Sequence, residues 1–216
     1  MPNRDFNELY DLILPYVPAV ETPLVDYHIR RVVREFCRRT TLWRRRVLLT
    51  TQAGVNDYLL SPYEVLDAEN CDPYSIISVV CAGTPIDPLP EEYRKPHGAR
   101  PGNAKPQAWY SPSARVVHLY PTPDAAYLIE VDVVCALTMT PTNAEMPEFL
   151  FVDYREVIAD GVIASLKVLG NKPWFDPEGA VIYNRRYVNA VQGIRAKLRD
   201  ANQPNISTMR GPRFGR

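Results

Sequence analysis

Residues 29–46 read IRRVVREFCRRTTLWRRR, and inside them a helical rhythm gives way to a strand. Counting from Val25, the residues Ile29, Val32, Val33, Phe36, Cys37 and Thr40 recur every three or four positions and so share one side of a helix. Arg30, Arg31, Arg34 and Arg38 fall on the opposite side, which predicts an amphipathic helix with a basic outer face. From Trp43 the pattern changes to WRRRVLLTTQAG, the beginning of a β-rich region. The segment holds eight arginines against one acid, Glu35, although the whole chain balances 25 Lys and Arg with 25 Asp and Glu. The rest of the protein must therefore be acidic by a similar margin.

Working outward, DFNELYDLIL at residues 5–14 places Phe6, Leu9, Tyr10 and Ile13 at helical spacing, with Pro15 as the stop. Thr22 followed by Pro23 reads as a cap with proline at the first helical position of the arginine-rich helix. WRRRVLLTTQAG and DYLLS predict a strand pair turning around Gly54–Asn56, and YSIISVVCAG predicts a buried strand. Nine of the 21 prolines lie between Pro85 and Pro123, which excludes helix there and predicts loops and edge strands. RVVHLYP and YLIEVDVVCALTM, separated by TPDAA, predict an antiparallel meander.

Helix returns after Pro147, and from Gly161 to Leu169 it is apolar nearly all round, as suits a central helix. Gly170, Asn171 and Pro173 stop it. Asp176, Pro177 and Glu178 open a last helix with the stripe Ala180, Tyr187, Val191, Ile194 and Leu198. Trp174, in the connection, is expected to pack back on the helices. Residues 203–216 have no periodicity and no acid, but keep Ile206, Met209 and Phe214. The order predicts an α+β domain over residues 1–202 with an antiparallel β-rich insert at about 43–141 between helical segments. An extended arm follows at 203–216.

At 216 residues with 46% apolar content, the chain can bury a core without metals or cross-links. No apolar run is long enough to span a bilayer, so no membrane association is expected. MPNRDFNELY has neither a basic nor an apolar signal region, which predicts synthesis in the cytoplasm. Cys37, Cys71, Cys81 and Cys135 are scattered without metal-ligand spacing, and reduced, mostly buried thiols are expected. His28, His97 and His118 belong to no triad or metal pattern and read as structural. No catalytic residue, metal or cofactor is predicted.

The arginine cluster admits three readings: a nucleic-acid grip, a solvated face, or a contact with protein. Its charge suits phosphate, yet a dedicated DNA binder is usually basic overall. Acids are blocked too. Residues 57–72 hold Asp57, Glu64, Asp67, Glu69 and Asp72 without a base, and residues 145–160 hold Glu145, Glu148, Asp153, Glu156 and Asp160 against Arg155. Separated blocks of opposite sign suit head-to-tail contact between copies, which closes into rings. Arg30, Arg34 and Arg38 are the candidate subunit contacts.

EFCRRTTLWR, HLYPTPD and DYREVIADGVIASLKVLGNKPWFDPEGAVIYNRRY, in that order, resemble the head-to-tail adaptor (connector) proteins of tailed bacteriophages, short-tailed ones especially. The resemblance runs from about residue 8 into the tail of the chain. It implies a virion protein assembled in the host bacterial cytoplasm as a twelve-fold ring beneath the portal. Such a ring would extend the channel for double-stranded DNA and carry the tail nozzle or tail tube. It also implies that the C-terminal arm docks on the portal, with Ile206, Met209, Arg210, Arg213 and Phe214 as candidate contacts. Some related connectors are reported as cell-wall hydrolases, but no residue here supports that activity.

Overall fold

The computed structural model describes residues 2–60, 70–90 and 102–202. It opens with a short strand, β1 (Asn3–Asp5), a 3-10 turn over Phe6–Leu9, α1 (Tyr10–Ile13) and a second 3-10 turn over Leu14–Tyr16. The single N-terminal helix expected at 5–14 is thus broken into three pieces, and Pro15 lies inside the last of them. Its apolar positions still behave as read: Phe6, Leu9 and Ile13 are buried, and the Tyr10 hydroxyl donates to Asp26 at 2.6 Å.

The arginine-rich helix is α2 (Thr22–Thr40). Glu21 rather than Thr22 stands at the cap position, with no side-chain bond, and Pro23 lies in the first turn. The whole predicted stripe, Val25, Ile29, Val32, Val33, Phe36, Cys37 and Thr40, is buried. Thr41 ends the helix in the left-handed region, φ 54°.

β2 (Arg44–Thr50), β3 (Asp57–Leu59), β4 (Cys71–Cys81), β5 (Thr84–Pro88), β6 (Ala108–Ser113), β7 (Val116–Tyr120) and β8 (Leu128–Leu137) form a sheet of order β2-β8-β4-β5-β6-β7-β3. Every pairing is antiparallel except β5 with β6. Two local readings are corrected by this topology. β2 and β3 do not pair with each other but lie at opposite ends of the sheet, and β7 and β8 are not neighbours. The reason lies in the two connections, which run side by side: Thr51 N donates to Tyr127 O and Gly54 N to Pro123 O, both at 2.9 Å. Residues 44–59 and 116–137 are therefore one long bent ribbon whose halves belong to the two ends of the sheet. Residues 51–56 could span at most ~25 Å if fully extended, whereas six inter-strand steps of a flat sheet need ~29 Å. The sheet is accordingly curled.

β9 (Glu145–Pro147) pairs with β1 and leads directly into α3 (Glu148–Lys167). The central position expected of this helix is observed: Ile158, Val162, Ile163 and Leu166 are buried, and it touches α1, α2 and the last helix, α4 (Pro177–Asn202). Gly161 is where three helices meet. A Cβ there would lie 2.7 Å from Val32 Cγ1 and 2.9 Å from Tyr187 Cδ2, so only glycine permits this approach. Asp176 caps α4 as read, accepting from Gly179 N at 2.8 Å and from Lys167 Nζ at 2.7 Å. The Lys167 bond, followed by the Gly179 bond, holds its carboxyl below the usual range. Trp174 is buried, as are Ala180, Tyr187 and Val191 of the α4 stripe; Ile194 and Leu198 are half-buried.

The result is α+β, with a helical layer packed on the curled sheet chiefly through α2 and β8. The thiols need one correction. Cys37 and Cys81 are free and buried, but Cys71 and Cys135, on adjacent strands, pair as a disulfide with Cα atoms 5.7 Å apart. Sequence separation hid this pair because β4–β8 register alone brings positions 64 residues apart together.

Candidate subunit and partner interface

The helical wheel sets α2's arginines opposite the core, but the side chains are long enough to turn away from that direction. Arg30 is only 8% exposed, and its Nη1 donates to Asn143 O at 2.7 Å. Arg34 donates from Nη1 to Leu137 O at 2.8 Å and from Nη2 to Asp72 Oδ2 at 2.9 Å. Arg115 donates to the other Asp72 oxygen. Arg30 and Arg34 therefore brace α2 against the end of β8 and the loop after it. Both are engaged within the chain, Arg34 with its side chain still 27% exposed.

Arg38 is exposed, its guanidinium 4.4 Å from the centre of the Tyr74 ring. Arg39 pairs with Glu35 at 2.9 Å. Arg31 is exposed and makes no ion pair among the described residues. On β2, Arg46 bonds Asp132 at 2.8 Å and Glu130 at 3.0 Å across the strand pair, and the Arg46 bond holds the Asp132 carboxyl below its ordinary value.

The acidic blocks divide similarly. Asp72 is used by Arg34 and Arg115, and Asp57 meets His118 Nδ1 at 2.6 Å; Glu64, Asp67 and Glu69 lie outside the described residues. In the second block, Glu148 pairs with Arg4 at 2.9 Å. Burial pushes the Asp160 carboxyl up, against the pull of Arg186. Asp153 and Glu156 are exposed without an ion pair among the described residues. The outer side of α4 is basic, with Arg185, Arg195, Lys197 and Arg199 exposed.

Both described histidines have structural partners. His28 Nδ1 lies 2.8 Å from Ser165 Oγ, whose own proton goes to Val162 O, so the imidazole is the donor. Burial, then Arg31, lowers the His28 pKa. His118 stacks obliquely on Tyr110 and contacts Asp57 and Asn56. His97 and the arm residues Ile206, Met209, Arg210, Arg213 and Phe214 fall outside the described residues. Among the described residues no group of three His, Cys, Asp or Glu could hold a metal ion, and no helix is long and apolar enough to cross a membrane.

The sequence reading missed a groove of about 410 Å³ between α2 and α4, floored by α3. Its floor is made by Gly161, Ala164 and Ser165, and Arg31, Glu35 and Arg39 form its α2 rim. The signal was available in the small residues of α3, but an element apolar all round conceals which strip of it is merely small.

The chain is thus an α+β protein whose charges are partly satisfied inside, with exposed acids on α3 and exposed bases on α2 and α4. The sequence model of the SU10 adaptor protein family matches residues 5–210, and the chain belongs to that family of phage head-to-tail adaptors. It is a bacteriophage adaptor, a virion component for tail assembly, and its family is one of structural proteins. A search of the curated proteins gives no match.

Proposed function

We propose that the protein forms a ring, twelve-fold as the family resemblance implies, that docks beneath the phage portal, extends the DNA channel and carries the tail nozzle or tail tube. The observation that supports this most is the reach of the adaptor match, residues 5–210, across both the helical layer and the curled sheet. Assembly in the host cytoplasm precedes incorporation into the virion. Of the arginines first assigned to subunit contacts, Arg38 remains available on the surface, whereas Arg30 and Arg34 act within the chain. The arm at 203–216 is basic and carries Ile206, Met209 and Phe214 as spaced apolar anchors, with Arg210 and Arg213 between them. An extended segment of this kind binds along another chain through main-chain bonds and side-chain pockets, and the portal is that chain.

Native mass spectrometry of the full chain, alone and mixed with its portal, tests the reading. A ring or a stable adaptor–portal complex is expected, and deletion of residues 204–216 is expected to abolish portal binding while leaving the melting temperature nearly unchanged. A protein that stays monomeric with portal present, and instead binds DNA with a steep log–log salt dependence, overturns it in favour of a nucleic-acid module.

A further inference from the structure

The groove of the helical layer and the acidic side of α3 are complementary in two independent respects. The groove has exposed apolar walls, Val168 at 56% and Val181 at 59%, beside a rim where two arginines, Arg31 and Arg39, face one carboxylate, Glu35. Nearer the start of α3, Val152 is 62% exposed and stands beside Asp153 and Glu156, both without an ion pair among the described residues. The ridge carries two acids against one exposed base, Arg155, and the trough's rim two bases against one acid, so the apolar centres match and the net charges are opposite.

The two surfaces cannot meet within one molecule. At about 100° per residue, the nine positions separating Val152 from Gly161 put them on opposite sides of α3. Since Gly161 lines the groove, Val152 points away from it, with Glu156 about 140° and Asp153 about 80° round the helix from Gly161. Two different surfaces that cannot reach each other within one chain define a heterologous contact, which repeats from copy to copy and closes when the rotation allows.

We infer that the groove between α2 and α4 receives the Val152–Asp153–Glu156 ridge of a second copy of this chain, and that this contact joins neighbours in the ring. The inference rests on the ring reading above and names the surface that builds it. The chain's own arm fits the groove less well: residues 203–216 carry three arginines and no acid, so the rim repels it. DNA would meet the rim's charge, but the walls formed by Val168 and Val181 offer phosphate no donor.

The test uses two full-length double variants. Asp153→Arg/Glu156→Arg reverses the ridge and Arg31→Glu/Arg39→Glu reverses the rim. Each alone is expected to weaken assembly at least about tenfold, measured by light scattering over a dilution series, as for close charge pairs across an interface. Mixed in equal amounts, they are expected to recover assembly, because each ridge then faces a groove of opposite sign. Recovery cannot come from a misfolded chain, and the neutral pair Asp153→Asn/Glu156→Gln, with a smaller loss, replaces the reversal if either double variant fails to fold. Wild-type rings that persist in both reversals, or folded variants that fail to recover on mixing, overturn this interface while leaving the ring standing. So does loss of the ring on deleting 203–216 with no response to the reversals, which would seat the arm in the groove. A wild-type chain that never forms a ring, alone or with portal, overturns both.

Discussion

α2 makes two contacts of different character. Toward the sheet it is tied by Arg30 on Asn143 O and by Arg34 on Leu137 O and Asp72, with Arg115 completing the Asp72 cluster. Toward α3 and α4 it is apolar, and dry except where the groove opens along it: Val32 lies over Gly161 beside Tyr187, and the indole of Trp174 is buried in the core cluster that Val32 and Tyr187 share. Directional bonds fix how α2 sits along β8, because sliding it by one turn would strip a partly buried guanidinium of its acceptors. Shape does the corresponding work among the helices, where Gly161 permits their close approach. The expectation is that truncation hurts more on the dry side, and loss of charge more on the seam.

The largest effect should come from emptying the dry side. Trp174→Ala removes a side chain only 7% exposed and is expected to cost roughly 3–5 kcal/mol, the range for deleting a buried Trp. Urea denaturation checks it, and a midpoint unchanged from wild type would show that the α3–α4 connection contributes nothing to the packing.

Asp72→Ala breaks the seam instead. Its carboxylate is 13% exposed, but its partners Arg34 and Arg115 are 27% and 54% exposed. Water can therefore compensate part of the loss, and about 2 kcal/mol is expected, below the range for a fully buried pair. Asp72→Asn keeps one oxygen as acceptor and should lose less. If Asp72→Ala costs more than Trp174→Ala in the same urea series, the ranking is reversed, and the charged seam contributes more than the apolar packing of the helical layer.

How much of this was legible follows from the range of each interaction. The stripe of α2, the all-round apolar character of α3 and the Asp176 cap are local patterns, and each is found where the periodicity put it. The seam was not legible, because a helical wheel gives the direction of Cβ and not the end point of an arginine. Arg30 and Arg34 leave the wheel's outer side to reach carbonyls whose positions depend on where β8 ends. The ribbon 44–59 with 116–137 was equally hidden: Gly54, at φ +82°, does turn the chain, but its hydrogen-bond partner Pro123 is remote in sequence, so the turn looked like a hairpin. β1 pairs with β9 for the same non-local reason. The groove is half-legible, since Gly161 and Ala164 read as apolar in the pattern and only their size marks the floor.

The smallest effect sharpens the comparison where the two faces of α2 come closest in kind. His28 is buried on the dry side yet hydrogen-bonded, donating from Nδ1 to Ser165 Oγ. Its folded pKa is held below the ordinary value of 6.5, first by burial and then by Arg31. Below 6.5 the unfolded chain therefore takes up a proton that the folded chain refuses. Stability is full above that pH and falls as pH drops through 6.5 toward the lower folded value, with a slope of at most about 1.4 kcal/mol per pH unit for one proton. His28→Gln retains an N–H for Ser165 but cannot titrate. The difference in unfolding free energy between wild type and this variant, measured in urea at pH 5, 6 and 7, should be flat from pH 7 down to the ordinary value and then shift against wild type. A difference that stays constant across all three would mean that His28 titrates alike in both states, and that the dry side of α2 is open enough to hydrate an imidazolium.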